Sequence, residues 1–122
     1  MLQSLEIRIR PELDDSVGRR FAQTARAALG IKVDLVRIVK VYIVEGLCAP
    51  DLQKALAAAA LHDPVLHEAS LTPFSSDADW IIETGFRPGV TDNAGRTARD
   101  TLAVVLGRSR DFAVYSAEQY HL

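Results

Sequence analysis

The sequence predicts an α+β fold in which an antiparallel sheet carries its helices on one face. Two observations predict it: strand-like and helix-like hydrophobic patterns alternate along the chain, and a 21-residue stretch returns 77 positions later. The 122 residues are the size of one ordinary domain, and 48% hydrophobic with 25% charged side chains is the mix of a globular chain. The formal net charge of −2 excludes a strongly basic nucleic-acid-binding module.

The chain opens with a predicted strand and helix. Apolar and charged residues alternate over residues 5–9, which is typical of a half-buried strand, and Pro11 ends it. Apolar residues then recur at helical steps over residues 14–29. One of the three residues at 14–16 can cap this helix, and Gly30 can adopt the left-handed conformation just past its end.

The next elements complete a first unit. Residues 33–44 are β-branched and predict a strand, but the apolar face shifts along it, so we expect a bulge or bend near 37–40, or two short strands. A second helix is predicted over 49–61, ended by the Asp-Pro pair at 63–64, and a strand over 65–71. The order β-α-β(β)-α-β is that of a ferredoxin-like βαββαβ unit with helices on one face.

A second series of elements follows, with a strand from Trp80, a helix over 91–106 and a strand over 112–120. Its helix region matches the first without a gap, since residues 10–30 and 87–107 are identical at eight of 21 positions. We interpret this match as an internal repeat. The identical pairs are Arg10/Arg87, Pro11/Pro88, Asp15/Asp92, Gly18/Gly95, Arg19/Arg96, Thr24/Thr101, Leu29/Leu106 and Gly30/Gly107.

The second copy is incomplete. Leu122 corresponds to position 45 of the first copy, so the helix and strand over 49–71 have no counterpart. We therefore expect a first unit at 1–74 and an incomplete β-α-β unit at 75–122. A β-α-β remnant leaves a sheet face uncovered and an edge unpaired. We expect either a piece of a longer protein or a partner that supplies the missing layer, and we expect the isolated chain to form a homodimer.

The most distinctive segment is the strand-to-helix connection at 87–96. A helix begins there at Thr91 or Asp92, and a helix N-terminus with nearby arginines can bind an anion. The alternative is a well-capped turn, and the segment is neither a Walker loop nor a dinucleotide fingerprint. The candidate interface or anion-binding residues are Arg87, Pro88, Gly89, Thr91, Asp92, Gly95 and Arg96.

Catalytic and metal sites are not predicted. The single cysteine, Cys48, has no zinc-ligand context, and Pro64 keeps a helix from bringing His62 and His67 together. Trp80 is expected to lie in the core. No stretch approaches the roughly 18 apolar residues of a membrane span, and the N-terminus lacks the apolar run of a secretory signal. We therefore expect a cytoplasmic protein that has neither a membrane nor a nucleic acid as partner.

These motifs resemble phosphoribosylformylglycinamidine synthase. The first copy is similar to its small accessory subunit in the strand ending in RP, the D-x-x-G-R helix start at Asp15, the VRIVKVYIVEG region and the D-P-V-x-x-E segment at Asp63. The second copy, ETGFRPGVTDNAGRTARDTL, resembles a segment near the N-terminus of the large subunit. Two such units in tandem resemble the start of the fused forms of this enzyme.

The resemblance implies a role in assembly. The enzyme converts formylglycinamide ribonucleotide, ATP and glutamine to the amidine in purine biosynthesis. Its nucleotide and magnesium sites belong to catalytic domains outside this chain, so no catalytic residue and no cofactor is implied here. The implied partners are those catalytic domains and a glutaminase. The alternative is a free-standing ferredoxin-like regulatory module that binds a small anionic metabolite.

Overall fold

The computed structural model describes residues 2–86 and 90–122. The elements are β1 (Leu2–Ile9), α1 (Ser16–Leu29), β2 (Arg37–Glu45), α2 (Ala49–Ala57), β3 (His67–Ser70), β4 (Ile81–Gly85), α3 (Asn93–Leu106) and β5 (Ala113–His121). The five strands form one sheet in the order β3-β1-β2-β5-β4, and each neighbouring pair is antiparallel. The predicted α+β fold with an antiparallel sheet is therefore confirmed.

The helices α1, α2 and α3 cover one face of the sheet, which we call the helix face. Val44 of β2 and its partner Val114 of β5 join a buried cluster with Leu52 of α2 and Leu102 of α3. Tyr120, six residues along β5 from Val114 and so on the same face, stacks on Phe21 of α1 with ring centroids 4.7 Å apart. The opposite face carries none of the helices in residues 2–86 and 90–122, and we call it the open face.

The first unit departs from the predicted pattern in one element. Residues 33–36 are not part of a strand, and β2 is one uninterrupted strand with continuous registers to both neighbours. The predicted bulge, or second short strand, is therefore absent, and the described strands of this unit follow the order β-α-β-α-β. The apolar face shifts because the chain bends ahead of β2, where Val36 is buried beneath the start of α1.

The β1-α1-β2 and β4-α3-β5 segments have the same strand pairing. A shift of 77 positions carries Ile7 onto Thr84, and a shift of 78 carries its partner Lys40 onto Glu118, which is the partner of Thr84. The same two shifts relate every described pair of the β4–β5 ladder to a pair of the β1–β2 ladder. Lys40 and Glu118 also face each other across β2 and β5, so an approximate two-fold axis passes between them.

The segment that joins β3 to β4 crosses the open face. The Glu6 carboxylate accepts a hydrogen bond from the Phe74 amide at 3.0 Å, and the Arg8 guanidinium lies 4.1 Å from the centre of the Phe74 ring. His121 Nδ1 lies 2.9 Å from the Ser76 hydroxyl. The boundary predicted between residues 74 and 75 falls within this crossing segment, and the division into two units stays a prediction.

The helix content is also relevant to membrane insertion. Over residues 2–86 and 90–122, every helix is too short or too polar to cross a bilayer.

Candidate functional site

The start of α3 is the centre of the predicted site, and its capping residue is Asp92. The Asp92 carboxylate accepts hydrogen bonds from the Gly95 amide at 2.7 Å, the Ser116 amide at 2.6 Å and the Ser116 hydroxyl at 2.6 Å. One side chain thus caps the helix and ties it to the middle of β5. Such an N-cap satisfies a backbone N–H that the helix itself leaves unpaired.

Asp15 makes the same connection at the start of α1. Its carboxylate accepts from the Gly18 amide at 2.9 Å and from the Ile38 amide of β2 at 2.8 Å. Both helices end at a glycine in the left-handed conformation, Gly30 with φ 64° and Gly107 with φ 62°. The same cap, strand connection and termination therefore occur in both β-α-β segments.

The glycines of the two D-x-x-G motifs allow the helices to approach the sheet closely. A Cβ atom on Gly18 would lie 2.1 Å from the Val36 carbonyl oxygen, and one on Gly95 would lie 2.5 Å from the Val114 carbonyl oxygen. No side chain fits at either distance. The motif thus has a structural explanation, which is a carboxylate cap beside a point of backbone contact.

The hydrogen bonds to Asp92 hold its carboxylate in the charged form. Burial acts to raise the pKa of this group, but the bonds from the Ser116 side chain, the Ser116 amide and the Gly95 amide outweigh burial and lower the pKa. A charged carboxylate that accepts three hydrogen bonds is a poor general base, because most of its lone pairs are already in use. It also places a negative charge where an anion would meet the helix N-terminus.

The structure brings together some of the predicted site residues and not others. Asp92 and Gly95 are joined by a hydrogen bond, whereas Thr91 and Arg96 are exposed. Asp92, not Thr91, is the N-cap. The other three candidates, Arg87, Pro88 and Gly89, lie outside the described residues.

A cavity of about 300 Å³ lies beside this cap, on the helix face. Burial raises the pKa of the Tyr42 phenol, and the negative charges of Asp92 and Glu118 raise it further. This cavity is not predictable from a local sequence pattern, because most of its residues come from β2, β4 and β5, which are distant in sequence. Its polar and aromatic lining includes Lys40, Tyr42, Thr84, Phe86, Ser116 and Glu118.

Metal-ligating clusters are not found among residues 2–86 and 90–122. Cys48 is exposed, and its thiol lies 3.3 Å from the Asp51 carboxylate. His67 Nδ1 accepts a hydrogen bond from the Asp63 amide at 3.2 Å, so this histidine holds the turn after α2.

Comparison of the chain with protein-family models, with curated proteins and with solved structures finds no match.

The Asp92 cap predicts a pH dependence of stability. Because folding lowers the pKa of Asp92, its contribution is present above the unfolded pKa of about 3.9 and is lost as the pH falls through the lower, folded value. The free energies of unfolding of the wild type and of Asp92→Asn should differ at pH 7 and converge below about pH 4. Urea unfolding followed by circular dichroism over this range measures the difference, and a gap that is constant with pH would contradict the prediction.

Proposed function

We propose that this chain is the non-catalytic N-terminal assembly domain of phosphoribosylformylglycinamidine synthase, an enzyme of cytoplasmic purine biosynthesis. One observation supports the proposal most directly. The two D-x-x-G segments that carry the resemblance have the same cap and the same close approach to the sheet, and their β-α-β segments pair edge to edge through β2 and β5. An assembly domain built from two similar units is expected to have this geometry.

The proposed role is to bridge the synthetase domains to the glutaminase that supplies ammonia. ATP and magnesium would bind in the synthetase domains and not in this chain. The Asp92 arrangement favours this role over the anion-binding alternative, because the cap uses the Gly95 donor and adds a negative charge at the helix end.

The part of the open face that the segment joining β3 to β4 leaves uncovered, around Tyr115, is the surface that we assign to assembly. It carries no helix, and Tyr115 of β5 is 51% exposed on it. An aromatic side chain on an extended, partly apolar surface is typical of protein interfaces. We expect this face to pair two copies when the chain is isolated and to contact the larger assembly when the synthetase domains and glutaminase are present.

The test is reconstitution with the separately produced synthetase domains and glutaminase. The wild-type chain should co-elute with them in size-exclusion chromatography and raise glutamine-dependent formation of the amidine. Tyr115→Asp should abolish both effects, whereas Val104→Asp, at a residue of α3 that is 80% exposed, should abolish neither. Failure of the wild-type chain to associate, with full activity in its absence, would refute the proposal.

Two measurements on the isolated chain complete the test. Light scattering should give the mass of a dimer for the wild type and of a monomer for Tyr115→Asp. Calorimetry with nucleotides and phosphorylated metabolites should give no heat of binding. Saturable binding that Lys40→Ala removes would instead favour the regulatory alternative.

A further inference from the structure

The chain has an apolar groove along α1 that the proposed assembly role does not use. Its volume is about 960 Å³. It is bordered by the C-terminal half of α1, the loop before β2, the segment at 75–80 and the start of β4, and it continues onto the open face at Arg8, Val39 and His121. Leu29 of α1 is 70% exposed there, and Trp80 is 74% exposed. The prediction that Trp80 lies in the core is wrong, because this residue immediately precedes the edge strand β4 and none of the described helices covers it. Other apolar lining residues are Phe21, Ala25, Ile31, Leu35 and Leu122.

The approximate two-fold axis relates this groove to the place where α2 packs. On that side, α2 packs against α3 and inserts Leu52 and Ala55 into the buried cluster. The shifts of 77 and 78 positions that relate the two strand ladders carry the groove residues onto members of this cluster or residues packed against it. The pairs are Phe21/Ala98, Ala25/Leu102, Leu29/Leu106, Leu35/Phe112 and Leu122/Val44.

Each place also has a cation shortly after its helix, although the shift of 77 carries Ile31, and not Lys32, onto Arg108. Arg108, just after α3, pairs with Asp51 in the first turn of α2 at 3.4 Å. Lys32, just after α1, lines the groove, and the described part of the chain gives it no ion pair. The groove therefore combines an apolar floor with charged residues of both signs, since Asp34, Asp77 and Asp79 line it together with Lys32.

The edge strand β4 corresponds to β1, which pairs with β3 on the related side. On the related side, β3 follows α2 and pairs with β1 through Glu6, Ile7 and Arg8. The shift of 77 carries these residues onto Glu83, Thr84 and Gly85 of β4, which is the outermost strand of the sheet. An unpaired edge strand exposes backbone donors and acceptors that another strand can use.

We propose that the groove binds an amphipathic helix of the α2 kind, presented by a partner polypeptide. The helix has a leucine–alanine stripe that packs on α1 and an acidic first turn that meets Lys32. The strand that follows it pairs antiparallel with β4 at Glu83–Gly85. The internal packing of α2 and β3 on the related side is the template for this partner segment.

The probe is a synthetic peptide of residues 49–72, which contains α2 and β3 and no tryptophan. Trp80 is the single tryptophan of the protein and lines the groove, so its fluorescence reports binding. The peptide should shift the Trp80 emission to shorter wavelength in a saturable manner. The same peptide with Leu52→Asp is the matched control, and it should give no shift.

Protein variants locate the binding site. Leu29→Asp and Leu35→Asp change exposed groove residues, and each should weaken peptide binding about tenfold or more because one leucine no longer packs on the helix. Val104→Asp should leave binding unchanged. Binding that survives both groove variants would place the peptide at the α2 position itself and overturn the proposal.

A second experiment joins the α2–β3 segment covalently to the protein, so that its result does not depend on the affinity of a free peptide. Attaching residues 45–72 after Leu122 keeps the register in which β2 leads into α2 and makes binding intramolecular. The extended chain should unfold at a higher temperature than the same extension carrying Leu52→Asp. Equal unfolding temperatures, together with no saturable shift from the free peptide, would refute the proposal.

Discussion

Replacing Gly18 with alanine should destabilise the protein by about 3 kcal/mol. The new Cβ would lie 2.1 Å from the Val36 carbonyl oxygen, so α1 must move away from the strand that follows it. That movement also stretches the hydrogen bonds through which Asp15 joins the helix to β2. Urea unfolding followed by circular dichroism measures the change in the free energy of unfolding.

Gly30→Ala is the matched control for this substitution. Gly30 is the residue that follows α1, and a Cβ atom there would meet nothing within 4 Å. Only the left-handed backbone conformation of Gly30 opposes alanine. The expected cost is about 1 kcal/mol. Gly95→Ala should resemble Gly18→Ala because its Cβ would lie 2.5 Å from a carbonyl oxygen. Equal effects of Gly18→Ala and Gly30→Ala would contradict the close-approach explanation.

Asp15→Asn should destabilise the protein by about 2 kcal/mol, although the two side chains have nearly the same shape. Asp15 is 4% exposed and uses one oxygen for the Gly18 amide and the other for the Ile38 amide. An asparagine has a single acceptor oxygen, so its NH₂ group would face one of these two N–H donors. The buried donor would then lack an acceptor, and its desolvation would no longer be offset.

Asp14→Asn is the adjacent control. Asp14 pairs with Arg19 at 2.9 Å, but both side chains are 61% exposed, and such surface pairs contribute about 0–1 kcal/mol. The free energy of unfolding, measured by chemical denaturation at pH 7, should therefore fall more for Asp15→Asn than for Asp14→Asn. A loss for Asp14→Asn as large as that for Asp15→Asn would show that the general loss of negative charge, and not the double acceptor, is responsible.

The sequence predicts the local features of the fold well because each follows from a short-range pattern. The Asp15 and Asp92 caps and the terminal glycines of both helices depend on residues within a few positions of one another. The bend ahead of β2 was harder to predict, since the shift of the apolar face at 33–36 reflects burial of Val36 beneath α1 and not a bulge. That burial depends on tertiary packing.

The site was predictable only in part for the same reason. The D-x-x-G spacing indicates a helix start, but the second role of Asp92 depends on the Ser116 amide, 24 residues away in sequence. The adjacent cavity requires β2, β4 and β5 to be neighbours, which no local pattern indicates. Trp80 is the opposite case, because its apolar neighbours predict burial, whereas its place next to the edge strand β4 leaves it exposed.

The approximate two-fold axis between β2 and β5 has a consequence for which strands pair with each other. Because such an axis places each strand in the position of the other, either strand could also pair with its own copy in a second chain, which would join two chains through the wrong ladder. In the same register, a β2–β2 pair would set Lys40 against Lys40, and a β5–β5 pair would set Glu118 against Glu118. Like charges directly opposite each other destabilise a ladder, whereas the Lys40–Glu118 pair favours it. The opposite charges of Lys40 and Glu118 thus favour the pairing of β2 with β5 within a single chain.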